Sequence, residues 1–344
     1  MVVLDSQYKF QAWQRNDWLC AMLVVLCVIF TSCDGTADSE EEKSLSRIEV
    51  DWSSYGKSVP AGMTVLFQHI ETGDMVQAID NDVTGITSRL SPGRHWATVF
   101  NLTEQEFVNI GFRGLDAVET AKAYVKESAT SKWYDGVAGS GNYVAGQPEW
   151  LAVDTIMTTA IEPVADGVKI IGTLHPKNII YTLHVTVHVD NMGNLLAARG
   201  AISGLAAGRR FAADFPEDNA VTVTHLIEAD DWICSRSSSP QGDGLVKADV
   251  RCFGLPANHN GTPEENRLEI QALLADGKTV KRYDIPVGHL IKEPVHAAAG
   301  RGDNLDLYLE LRLDPALPPY SGNGGGVDVW FNDWDERIDF NMPI

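Results

Sequence analysis

Among the side chains that could do chemistry, one thiol has the most informative setting. Cys33 follows Phe30-Thr31-Ser32 at the end of a 13-residue apolar run, Trp18 to Phe30. That is where a bacterial lipoprotein carries the cysteine that is acylated once the signal segment is removed. Lys9 and Arg15 precede the run as a secretory leader requires, although Asp5 and Asp17 cancel their charge. The run is too short for a spanning helix of about 20 residues. With residues 1–32 removed, Cys20 and Cys27 leave the chain, so Cys234 and Cys252 are the only other thiols. In an exported protein such a pair either forms a disulfide, worth about 3 kcal/mol for a loop of this length, or stays as two separate buried thiols.

The remaining chemical groups form no catalytic set. Asp333 and Asp335 beside Trp330 and Trp334 make the densest acidic and aromatic cluster, a candidate ligand or partner contact at a hairpin. His184 and His188 share one face of a strand, but four strand residues span about 13 Å, too far for one zinc ion. Gly200-Ala201-Ile202-Ser203-Gly204 places its serine one position late for a nucleophile elbow. The chain has no H-E-x-x-H, C-x-x-C or Gly-rich phosphate loop, so neither a catalytic site nor a metal or other cofactor is expected. Arg301-Gly302-Asp303 reads as a charged turn, and Asp154-Thr155-Ile156 fits a relaxed O-glycosylation pattern if exposed.

The formal charge of −20 repels nucleic acid and anionic head groups. Membrane attachment must then come from acyl chains on Cys33. Residues 33–46 carry Glu40-Glu41-Glu42 and no apolar period, which predicts an acidic flexible tether. From Arg47 the pattern becomes period two. Ile48, Val50 and Trp52 alternate with charged residues, and Ile179 to Val189 sets apolar residues against Thr182, His184, Thr186 and His188. Asp276-Gly277 predicts a hairpin, and Leu305 to Leu313 another strand. Leu115, Val118, Ala121 and Val125 predict one short amphipathic helix, Leu115 to Lys126, within the first half. The class is mainly β: two sandwiches, residues 47–160 and 161–344.

Gly62-Met63-Thr64-Val65-Leu66-Phe67, Leu90-Ser91-Pro92-Gly93-Arg94, Ala121-Lys122-Ala123-Tyr124, Ile202-Ser203-Gly204-Leu205-Ala206 and Val327-Asp328-Val329-Trp330-Phe331 follow one another in an order that resembles an uncharacterised lipoprotein family of Bacteroidetes. That family is related to anchor and assembly subunits of type V, fimbrillin-type, pili. The resemblance implies two tandem transthyretin-like β-sandwiches and a non-enzymatic role in attaching or assembling a surface fibre at the outer membrane. It also implies a fimbrial subunit, or another surface protein, as partner, held by β-strand addition. Related subunits lose a first strand by cleavage at an arginine, whereas anchors keep it; Arg47 stands at that junction, and retention is expected. The alternative is a glycan-binding surface lipoprotein with Trp133, Trp150 or Trp334 as a platform.

Overall fold

A computed structural model describes residues 43–128, 133–134, 143–162, 167–212, 221–236, 242–292 and 305–319. In chain order the first strands are β1 Ser44–Val50, β2 Met63–His69, β3 Met75–Asp80, β4 Gly85–Leu90, β5 His95–Asn101, β6 Ile110–Arg113, β7 Lys122–Val125, β8 Tyr143–Ala145 and β9 Ala152–Met157. Then follow β10 Lys169–Leu174, β11 Lys177–Asn178, β12 Tyr181–Val189, β13 Leu195–Ala206, β14 Gly208–Arg210, β15 Thr222–Ile227, β16 Ile233–Arg236, β17 Gly244–Cys252, β18 Arg267–Leu274, β19 Val280–Pro286 and β20 Asp306–Arg312. No helix among the described residues is long and apolar enough to cross a membrane.

The mainly-β expectation holds, but the expected helix is replaced by a turn and a strand. Gly114, at φ +63°, turns the chain, and the Thr120 hydroxyl donates to the Gly114 carbonyl to close the loop. Val118 then donates its N–H to Gln68 Oε1, fixing the loop to β2. From Lys122 the period is two: Ala123 and Val125 are buried while Lys122 and Tyr124 face outward. The apolar positions fitted either period, and pairing on both flanks of β7 decided for the strand.

Two sheets, ordered β10-β1-β4 and β11-β9-β5-β2-β3, face each other over a core that contains Ile48, Phe67, Val99 and Leu174. Alternation along β2 sends Met63, Val65 and Phe67 into that core, and Leu66 into a second one on the other face. The second core is roofed by a three-stranded sheet, β14-β7-β6. The remaining described strands form another pair of sheets, β16-β17-β12-β20 and β19-β18-β13-β15-β8, around Leu183, Val187, Ile202, Val250 and Leu309.

Strand membership crosses residue 160 in both directions. β10 and β11 complete the first pair of sheets, β8 pairs in parallel with β15 in the second, and β14 pairs with β7 in the roof. Phe100, Phe107 and Phe112 meet Phe211 in one aromatic cluster with ring centroids 5.0–5.9 Å apart. Phe100, Phe107 and Phe211 are buried in the second core, and each buried ring stabilises by about 1.5–3 kcal/mol.

Candidate functional site

β1 is the strand that follows the tether. It lies between β10, in parallel, and β4, antiparallel, with six residues paired to β4. Ser44, Ser46, Ile48 and Val50 are buried, so alternate residues point into the first core. Gly85 lets β4 come this close, since a Cβ there would stand 2.5 Å from the Ile48 carbonyl oxygen. Arg47 faces outward, opposite Ile170 and Thr87; its Nη2 donates to Thr84 Oγ1 at 3.3 Å and lies 3.9 Å from Asp82. The Asp82 carboxyl is held below the ordinary range, chiefly by bonds from Thr84. The peptide after Arg47 is therefore in mid-strand, paired without a break to β4, while the pairing with β10 shifts register by one residue at that point.

The second pair of sheets ends differently. The outer edge of β20 is met by Lys292, which exchanges two backbone hydrogen bonds with Tyr308 at 2.9 and 3.0 Å. The β8 edge is met by Glu127 and Ser128. β19 carries Lys281, Arg282 and Asp284, charges of the kind that guard an edge. Among the described residues, β16 has no strand on its far side. Ile233, at its start, is 68% exposed. Just before it, Trp232 is buried with its indole N–H unpaired, packed in the second core around a small apolar void with Val187, Val189, Leu195, Val246 and Leu313.

Cys234 and Cys252 are not joined to one another. In register Cys234 opposes Val246, six residues along β17 from Cys252, or about 20 Å. Of the two arrangements open in the sequence the structure has separate thiols, with Cys234 exposed rather than buried. Burial pushes the Cys252 thiol up to about 12.

His184 and His188 face outward from β12. His184 Nδ1 is 2.7 Å from Asp249 and its ring stacks on Tyr308, while His188 Nε2 is 2.6 Å from Glu310. No group of three His, Cys, Asp or Glu among the described residues could hold a metal ion. Trp133 is buried: its indole N–H donates to Glu228, and Arg199 lies 4.7 Å over its ring. Burial raises the Glu228 carboxyl, against the opposing pull of Trp133 and Arg199. Trp150 has Lys57 Nζ 3.7 Å from its ring centroid, with Arg251 also close. Neither ring is an open platform. The Thr155 hydroxyl is half-buried in β9 and paired with Thr98 at 3.0 Å. Cys33, Trp330, Asp333, Trp334, Asp335 and Arg301-Gly302-Asp303 lie outside the described residues.

The family described as domain of unknown function DUF5119 matches residues 38–225, more than half of the chain. The chain belongs to this family. No curated protein matches this DUF5119 member. Among solved structures it is similar to a candidate adhesin from Bacteroides ovatus, at 17% identity and a TM-score of 0.53 over 82% of this chain and 94% of that one. It is also similar to the fimbrial anchor protein Mfa2 of Porphyromonas gingivalis, at 11% identity and a TM-score of 0.41 over 78% and 90%. At such identities the first likeness is one of fold. The family resemblance read from the sequence is borne out, and so is the mainly-β sandwich class.

Sequence reading of this DUF5119 chain missed the β16 edge. Asp231-Trp232-Ile233-Cys234 is too short to show a period, and its one local signal is an apolar run directly after Asp230-Asp231. The parallel strand β8 was missed too, because Gly136, Gly139, Gly141 and Gly146 around it read as loop.

Proposed function

We propose that this chain is a non-enzymatic, cell-surface lipoprotein that anchors or helps assemble a fimbrial fibre. Cys33 carries the acyl chains in the outer membrane, the acidic tether spans the gap, and β1 takes the load into the first sandwich. A fibre subunit adds a strand to β16 and sets an apolar side chain against Ile233. The sandwiches divide the work, the first holding the membrane and the second the partner.

The observation that carries this reading is the contrast between β1 and β16. β1 is bonded on both flanks, and its ladder bonds lie across the strand, so tension along the tether loads them together rather than one at a time. Cleavage after Arg47 would remove Ser44 to Arg47 and leave Ile48 to Val50 behind, opening the core instead of a clean strand groove. β16 has the opposite character, an exposed Ile233 on an edge without a neighbouring strand among the described residues. Strand addition supplies affinity through backbone bonds and specificity through side-chain contacts. The glycan alternative loses two of its three tryptophan platforms, since Trp133 and Trp150 are both covered.

The test is a disulfide trap on intact cells. Cys234, on the β16 edge, should cross-link to a cysteine placed in the terminal strand of the fibre subunit, and Ile233→Asp should abolish the cross-link and shed fibres. Unchanged fibre number and attachment in cells lacking the protein would overturn the proposal.

A further inference from the structure

The outer face of the β14-β7-β6 roof carries a row of three cations. Register places Arg113 opposite Lys122 and Lys122 opposite Arg210, and directly opposed residues share a face of an antiparallel sheet. The next row on that face is Gly111, Tyr124 and Gly208. Both glycines have a reason: a Cβ at Gly111 would stand 2.5 Å from the Tyr124 ring, and one at Gly208 would press on Tyr124 Cα and Cβ at 3.0 Å. The ring therefore lies flat along the sheet. The Arg113 guanidinium lies over the ring, 4.2 Å from its centroid. Arg210 is held by its bond to the Glu119 carbonyl.

We infer that this row is a recognition site for a sparsely charged, carboxylate-bearing polysaccharide, separate from the strand-addition edge. Arg113 is exposed above Tyr124, and a guanidinium can take a planar carboxylate on two bonds through its in-plane fork of N–H donors. Arg113 is exposed and has no ion-pair partner among the described residues. Three strands spaced about 4.8 Å apart make the row about 10 Å long, so it meets two or three charges and no more. The whole chain carries −20, so a polymer charged at every unit is repelled once it runs beyond the row. A chain in which neutral sugars separate the carboxylates avoids that repulsion. The surface is an open sheet face rather than a pocket, which suits an extended polymer.

The experiment titrates the full-length protein in detergent with oligogalacturonate of partial methyl esterification, by calorimetry at low and physiological salt. Fully esterified oligomer and oligoglutamate serve as the other arms. Binding to the partly esterified oligomer, weakened about tenfold by Arg113→Gln and by Lys122→Gln and not restored by Arg113→Lys, is the expected result. A thermal midpoint unchanged in each variant shows that the fold is intact, and Ile233→Asp should leave this binding as it is. No binding, equal binding to the neutral oligomer, tighter binding to oligoglutamate, or binding indifferent to Arg113→Gln would each overturn the inference.

Discussion

In the first sandwich the opening strand β1 has a neighbour on each side, whereas among the described residues β16 of the second has a strand on one side only. β1 is a middle strand, whose Ile48 and Val50 are as much part of the core as Phe67 and Val99. Among the described residues β16 is an edge strand, and its leading isoleucine faces solvent. The same alternation rule built both strands. What differs is how many neighbours each acquired, and neighbours come from distant sequence.

The sharpest way to break the comparison is to weaken β1. Ile48→Ala should cost about 2–5 kcal/mol by leaving a cavity in a packed core, seen as a lower denaturant midpoint. Because the halves share the Phe100–Phe211 cluster, fluorescence and circular dichroism should report one transition. Two separate transitions would show that the halves are mechanically independent.

Acid tests both halves at once. His95, in β5, has its pKa lowered to about 4 by burial, with His69 adding to the effect; His225, beneath the second sheet, is lowered to about 4 by burial. Both are neutral in the folded state and titrate near 6.5 when unfolded. Their stabilising contribution is therefore complete above pH 6.5 and is lost as pH falls towards about 4, at about 1.4 kcal/mol per pH unit for each. Denaturation midpoints between pH 7.5 and 4.5 check this, and His225→Leu should flatten the slope.

Thiol labelling separates the regions more finely. A maleimide should modify Cys234 in the native protein and Cys252 only in denaturant, because Cys252 is buried and its thiol is pushed up to about 12. Labelling of neither without a reductant would indicate a disulfide instead. The smallest effect on stability is expected at the open edge: Ile233→Asp should change it by no more than about 0.5 kcal/mol, as exposed positions do, while removing partner capture.

What was legible in the sequence was local. The alternation in β12, with His184 and His188 outward, was readable because every second residue is apolar for nine residues. The Asp276-Gly277 turn was readable because Gly277 adopts φ +66° and Asp276 accepts from Lys278 and Thr279. β7 was misread because Leu115, Val118, Ala121 and Val125 satisfy a helical period until the pairing partners are known. A single division near residue 160 could not show that β8, β10, β11 and β14 pair across it, since such pairings leave no periodic trace. The separation of Cys234 and Cys252 is likewise a matter of register, which seventeen intervening residues do not reveal.

The most direct test of the central claim is the mass of the N-terminal peptide of the protein isolated from its membrane. The account predicts a diacyl- or triacyl-modified Cys33 and a continuous chain through Arg47-Ile48. A mature protein that starts at Ile48, or one that keeps residues 1–32 unmodified, would contradict it.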